Sequence, residues 1–325
     1  MKLIKLSVFF IILLTTNIVV FSQINVGTNE KVKSDPGEFD EKDLKKLKST
    51  TTIFLYRKDD DIDRLKEAIE PIWNVTDIKF MPHEYIDEID FDEHSILSIS
   101  GYSKVTIRRN SKGREVKTQN GYYYLKLWMK DNDEDGNTTN KTFCRIDLHP
   151  TFKDFEFLVD KNNKNKVFDY LYTKATLKNW QPGFLKVYLQ NVNDLLKNGN
   201  TQWLYGNEEK NQNLKNLANE TLYVVDYTLV KFNMFSGDES SRHSEKKIMK
   251  KYPYNYELLN AEEISDKILE SDSKPIYFLV FIKSSTDKYV AIYEGNTGEI
   301  LYRKYSPISY NFKKNDMKDI ARLIQ

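Results

Sequence analysis

A chain of 325 residues has room for one large core or two smaller ones, and its 49 basic and 48 acidic side chains leave a formal net charge of +1. So even a balance argues against nucleic acid as a partner, because nucleic-acid binders need an overall basic face to neutralise phosphates. Cys144 is the single cysteine, which excludes an intramolecular disulfide and leaves stability to ordinary core packing.

Met1 to Ser22 reads as a secretory signal peptide. Lys2 and Lys5 form the charged start, Leu6 to Phe21 the apolar core, and Val20 and Ser22 stand three and one residues before a cut at Ser22–Gln23. Thr15, Thr16 and Asn17 interrupt that core, which falls short of the ~20 apolar residues needed to span a bilayer. The expectation is an exported protein, periplasmic or secreted, with no membrane span after cleavage. Residues 23–50 are polar, with Gly, Pro and a charge-dense end, and read as a flexible lead-in.

An N-terminal lobe is expected over 51–160. Thr52 to Tyr56 predicts a strand, Asp60 or Asp61 can cap the helix that follows, and Ile62, Leu65, Ile69, Ile72 and Trp73 give that helix a buried stripe, with Pro71 near its end to kink or terminate it. Asp77 to Met81 and Ser95 to Ser100 read as further strands, with a short helix around Tyr85 to Ile89 between them. Lys104 to Arg109, Tyr122 to Met129 and Phe143 to Leu148 read as antiparallel strands. In the last of these Cys144, Ile146 and Leu148 alternate with Arg145, Asp147 and His149, the period of a strand with one face buried.

A helical connector is expected over 161–220. It holds a helix around Val167 to Leu177 and the clearest helix of the chain, Trp180 to Gly199. Pro182 suits its first turn; Leu185, Leu189, Val192, Leu195 and Leu196 share a face; Lys197 meets the negative end of the dipole, and Gly199 closes it. A C-terminal lobe, 221–325, then runs through a strand at Leu222 to Phe232, a helix-compatible stretch at Ser241 to Lys251, and a strand at Tyr254 to Leu259. A short helix at Glu262 to Leu269, a buried strand at Ile276 to Ile282, a hairpin about Gly295 to Gly298 and a helix at Asp316 to Ile324 follow. The fold class is α+β: two β-rich α/β lobes joined by an amphipathic helical connector. Both lobes run strand, helix, strand, short helix, strand, hairpin, which suggests a degenerate duplication, although α+β chains also show such an order by accident.

Four stretches offer candidate chemistry. Arg145, Asp147 and His149 project from one strand face, where Asp could orient His and Arg could hold an anion; a solvated face with an ion pair is the plainer alternative. Asp131, Asp133 and Asp135, followed by Gly136, match the opening of a calcium loop, but Thr142 stands where the closing Glu belongs. His83 to His94 is rich in carboxylates but is not a His-Glu-x-x-His zinc motif, since Asp87 occupies the second His position. Gly237 to Glu245, with Arg242 and His243, forms a polar loop that could bind an anion; its neighbouring Ser, His and Glu cannot converge as a triad. Cys144, with no activating base nearby in the sequence, reads as a small core residue.

The phrases LKNWQPGFLKVYLQNVNDLLKNG, TLYVVDYTLVKFNMFSGDESSRH and SSTDKYVAIYEGNTGEILY resemble those of an uncharacterised family of secreted bacterial proteins. The resemblance implies export and a shared fold and carries no catalytic residue. Together these observations favour a non-enzymatic binding module with an envelope or extracellular protein partner, the 21 Tyr and 4 Trp supplying contact surface. A hydrolase with a site dispersed around Arg145, Asp147 and His149 is the alternative, and a calcium-stabilised structural protein the second.

Overall fold

The computed structural model describes residues 23–31, 35–109, 113–132, 135–154, 164–205, 211–233, 236–271 and 274–325; residues 1–22, expected from the sequence to be a signal peptide, and Asp133 lie outside them. Helices and strands are both abundant and organise two sheets of mixed direction, so the chain is α+β. Among the described residues no helix is long and apolar enough to cross a membrane.

The first sheet has the order β1-β6-β5-β4-β2-β3, from β1 (Ile24–Val26), β2 (Thr51–Tyr56), β3 (Asp77–Pro82), β4 (His94–Arg109), β5 (Glu115–Asn132) and β6 (Thr138–Asp147). Strand β2 is parallel to both neighbours, β3 and β4, and the other pairings are antiparallel. Its short apolar run is buried on both faces, as a strand inside a parallel trio requires. The second sheet has the order β10-β7-β11-β12-β13, from β7 (Leu222–Val225), β10 (Tyr256–Leu259), β11 (Tyr277–Ser284), β12 (Asp287–Glu294) and β13 (Ile300–Ser306); between β7 and β10 in the chain, β8 (Val230–Lys231) and β9 (Ser241–Arg242) pair only with each other, antiparallel. Strand β7 is parallel to both β10 and β11, and β11, β12 and β13 run antiparallel in turn. Leaving β1 aside, the two sheets share strand order and strand directions.

Helix α1 (Glu41–Lys48) precedes β2, and α2 (Ile62–Ile69), capped by Asp61, joins β2 to β3. Helix α3 (Lys164–Thr173) follows β6, and then comes α4 (Pro182–Lys197), with Pro182 in its first turn and Gly199 at φ +67° beyond its end. The buried face of α4 is wider than one stripe, because Phe184, Val187 and Tyr188 are buried beside Leu185, Leu189, Val192 and Leu196. The Asn193 side chain accepts from the N–H groups of Asn74 (2.8 Å) and Val75 (3.0 Å), while Phe184 stacks on Phe278 of β11 with centroids 5.3 Å apart. Helix α5 (Glu245–Met249) is a single turn. Helix α6 (Ala261–Leu269) carries an Asn260–Glu263 capping box and packs on α4 at Gly183, where a Cβ would stand 2.6 Å from the Ser265 carbonyl oxygen. Helix α7 (Lys314–Ile324) ends the chain.

Four expectations change. The lead-in at 23–50 is not a loose tail: Ile24 and Val26 are fully buried, β1 pairs with β6, and Asp40 caps α1. The expected strands at Ser95 to Ser100 and Lys104 to Arg109 are one strand, β4, continuous through Gly101. The apolar run Leu222 to Phe232 breaks after Val225, where the Thr228 hydroxyl donates to the Val225 carbonyl (2.7 Å) and closes a 3-10 turn at Asp226–Leu229. Finally, β6 is buried on both faces from Phe143 to Asp147, so the face carrying Arg145 and Asp147 is not solvated. The tyrosines and tryptophans are largely core: among the described residues the exposed large hydrophobics are Tyr85, Ile107 and Ile308.

Candidate functional site

Strand alternation puts Arg145 and Asp147 on the same face of β6, and both are 0% exposed. Their side chains pair in a fork, Arg145 Nε to Asp147 Oδ1 at 2.6 Å and Nη2 to Oδ2 at 3.2 Å. Arg145 Nη1 donates to the Glu30 carbonyl (3.0 Å) and to the Tyr102 hydroxyl (3.2 Å). The guanidinium lies 4.5 Å from the Tyr124 ring centroid and 5.5 Å from those of Tyr102 and Tyr122. Burial alone would lower the Arg145 pKa; the Asp147 carboxylate reverses that and holds it well above the usual value. The Glu30 carboxylate accepts from Tyr124 and stands 3.4 Å from Lys126 Nζ, so the first sheet presents a compensated polar layer beneath a cover of protein.

Asp287, at the start of β12, faces this layer from the second sheet and accepts from the Tyr305 hydroxyl at 3.1 Å. Burial, reinforced by the Asp147 charge, raises its carboxyl to about 6 against the Tyr305 hydrogen bond and the nearby cations. Tyr205, Tyr289 and Tyr305 pack together above it, with ring centroids 4.9 to 6.4 Å apart.

His149 does not join the pair. It is buried, its Nδ1 donates to the Phe281 carbonyl at 3.0 Å, and its ring meets Tyr227 and Phe281 edge-on. Burial, then the charges of Lys178 and Lys283, hold its pKa far below the usual value, so the ring is neutral. Asp147 is spent on Arg145, and the expected Asp-to-His orientation does not form. The other candidates are also accounted for. Arg242 pairs with Asp226, at 3.1 Å to the carboxylate and 2.9 Å to the carbonyl, and the His243 N–H donates to the Leu229 carbonyl. Slight burial, then Lys247 and Lys231, lower the His243 pKa. Asp131 lies between Lys46 and Lys141, 3.6 Å from each; Asp133 is outside the described residues; and no group of three potential metal-ligating side chains converges among the described ones.

A concave site among the described residues lies elsewhere. A crevice of about 490 Å³ opens beyond the carboxyl end of β2, where the chain turns into α2, and the N-termini of α2 and α4 both border it. Ligands of α/β sheets commonly bind at such strand ends. Asp60 is its best-defined group: the carboxylate accepts from Trp180 Nε1 (3.0 Å) and from the Arg57 N–H (2.7 Å), and burial raises its pKa. Arg57 donates to the Ala175 carbonyl, and Arg64 pairs with Asp266 of α6, so the crevice is pinned between the loop before α2, the segment joining α3 to α4, and the contact of α2 with α6. Lys174 and Glu262 stand exposed at the rim. The sequence singled out Asp60 and Asp61 as capping residues; no local pattern announced that loops more than a hundred residues apart would meet there.

Comparison of the chain with protein-family models, with curated proteins and with solved structures gives no match.

Proposed function

We propose that the chain is an exported, non-enzymatic binding module that holds a charged segment of an envelope or extracellular protein in the crevice at the carboxyl end of β2. The crevice itself carries this reading: it is a concave surface with fixed side chains of both signs, built at the junction of β2, α2 and α4. A second support is how the reactive side chains are used. Cys144 is fully buried with its thiol pushed up to about 12, His83 stacks on Tyr172 at 4.8 Å, and His149 is fixed on a backbone carbonyl. A hydrolase built on Arg145, Asp147 and His149 would need these three to converge, and their hydrogen bonds lead them apart.

The test is a pull-down with tagged chain from Gln23 onward, crosslinked to native envelopes and read by mass spectrometry. Rim variants Lys174→Glu and Glu262→Lys change charge at exposed positions and leave the core intact. A stoichiometric partner lost with both variants establishes the crevice as the site. A partner retained by both variants rejects the crevice, and no partner above background, with intact bait, rejects the binding reading.

A further inference from the structure

The crevice at the carboxyl end of β2 carries a bias of charge that its own residues do not cancel. Its lining holds four acids, Asp59, Asp60, Asp61 and Glu262, against three bases, Arg57, Arg64 and Lys174. Arg64 is already neutralised by Asp266, which lies outside the lining, and Arg57 spends Nη2 on the Ala175 carbonyl. An anion would look for donors at the two helix ends that border the space, and these are engaged. The Arg64 N–H is taken by Asp61 at 3.2 Å, Pro182 has no N–H, and the Gly183 N–H donates to Ser265 Oγ at 2.9 Å.

Asp60 is the acid with capacity left. A carboxylate offers about four acceptor positions. Buried Asp154 meets four donors: the Thr151 N–H and hydroxyl, the Thr176 N–H and the Tyr170 hydroxyl. Asp60 meets two, both uncharged: Trp180 Nε1 at 3.0 Å and the Arg57 N–H at 2.7 Å. Among the described residues no Lys or Arg side chain forms an ion pair with it, the two arginines of the lining being engaged at Ala175 and Asp266. Burial raises its carboxyl against those two bonds and the more distant Arg57 charge, as it must for a carboxylate with no cation in contact. Elsewhere the chain meets the same cost with a cation: Glu239 lies between Lys178 and Lys283, and Asp316 holds Lys288. Asp60 instead lines an open space of about 490 Å³.

We propose that the crevice receives a basic side chain of the partner, a Lys or Arg whose cationic head sits on Asp60 and supplies the counter-charge that the chain itself leaves out. The inference rests on the crevice being the binding site, and it adds the sign and the seat of the group that enters. Lys174 and Glu262, exposed at the rim, then face the residues that flank that side chain.

The test uses the chain from Gln23, which carries the whole described fold, with its four tryptophans replaced by fluorotryptophan. Trp180→Phe assigns the Trp180 fluorine resonance, and those of Trp73, Trp128 and Trp203 serve as internal controls. The probes are the N-acetyl amides of arginine, lysine, citrulline and glutamate. The Trp180 resonance should shift saturably with the arginine or lysine probe. Citrulline keeps the shape of arginine without its charge and should bind at least about tenfold more weakly. Asp60→Asn should abolish the shift, while Asp59→Asn, which touches neither hydrogen bond of Asp60, should keep most of it. The control resonances report whether each variant is folded; should Asp60→Asn not fold, arginine against citrulline on the parent chain decides. A Trp180 resonance unmoved by both basic probes, citrulline binding as tightly as arginine, equal loss in the two variants, or all four resonances moving together overturns the proposal. A shift with the glutamate probe alone overturns it too and leaves the crevice as a site for an acidic segment. Should the basic probes fail while the pulled-down partner is lost with both rim variants, the crevice stands and the basic side chain falls.

Discussion

Replacing Arg145 by Met removes the counter-charge of Asp147 and keeps most of the side-chain volume. Asp147 is 0% exposed and both its oxygens are held by the Arg145 guanidinium, so the variant strands a carboxylate in the interior. Breaking a buried pair from one side costs about 3–5 kcal/mol, set against about 5–15 kcal/mol for a whole fold. The lost contact of the guanidinium with the Tyr102, Tyr122 and Tyr124 rings adds to this. Replacing both partners, Arg145→Met with Asp147→Leu, removes the stranded charge and should recover most of the loss. Urea unfolding of parent, two single variants and the double variant, followed by tyrosine and tryptophan fluorescence, measures the cycle. A loss below about 1 kcal/mol for Arg145→Met, or a double variant as unstable as the sum of the singles, would refute a desolvated, mutually dependent pair.

Two further outcomes follow from the geometry. Burial pushes the Asp287 carboxyl up to about 6 in the folded chain, above the ordinary aspartate value, so the folded state binds the proton more tightly than the unfolded one. Its contribution to stability is full below about pH 4 and is lost as pH rises through 6, a cost of about 3 kcal/mol at neutral pH. Asp287→Asn should therefore raise the melting temperature near pH 7.5 and flatten the dependence between pH 4 and 6; an unchanged slope would contradict it. Gly183→Ala drives a methyl group to 2.6 Å from the Ser265 carbonyl oxygen, so α4 and α6 must separate, at about 1–3 kcal/mol. An unaltered thermal midpoint would show that the two helices are not in that contact.

Much of this fold was legible because its signals are local. Pro182 and Gly199 bracket α4, Asp61 caps α2, and the Gly295 to Gly298 turn joins β12 to β13. Elements defined by distant partners were not. Strand β1 is three residues long, too short for any periodicity, and exists because Ile24 and Val26 meet Ile146 and Cys144. The alternation along β6 correctly separated two faces, but alternation cannot say that the polar face is also covered. That cover comes from Glu30 and, across the sheets, from residues around Asp287. The same limit hid the crevice, whose lining comes from the loop before α2, the segment after α3 and the start of α6.

Strand β1 also bears on the order in which the molecule can assemble. Val26 exchanges hydrogen bonds with Gln202 (2.8 Å each way) while β1 lies along β6, so this short strand is clamped between partners made long after it. Until Gln202 is in place, the outer edge of the first sheet has only a three-residue strand to cover it, and that strand is itself held on one side. Closing so wide a loop is entropically costly and slow. Strand β1, made well before its partners, is thus among the last elements to be locked, and for that interval β6 offers an open edge to other chains.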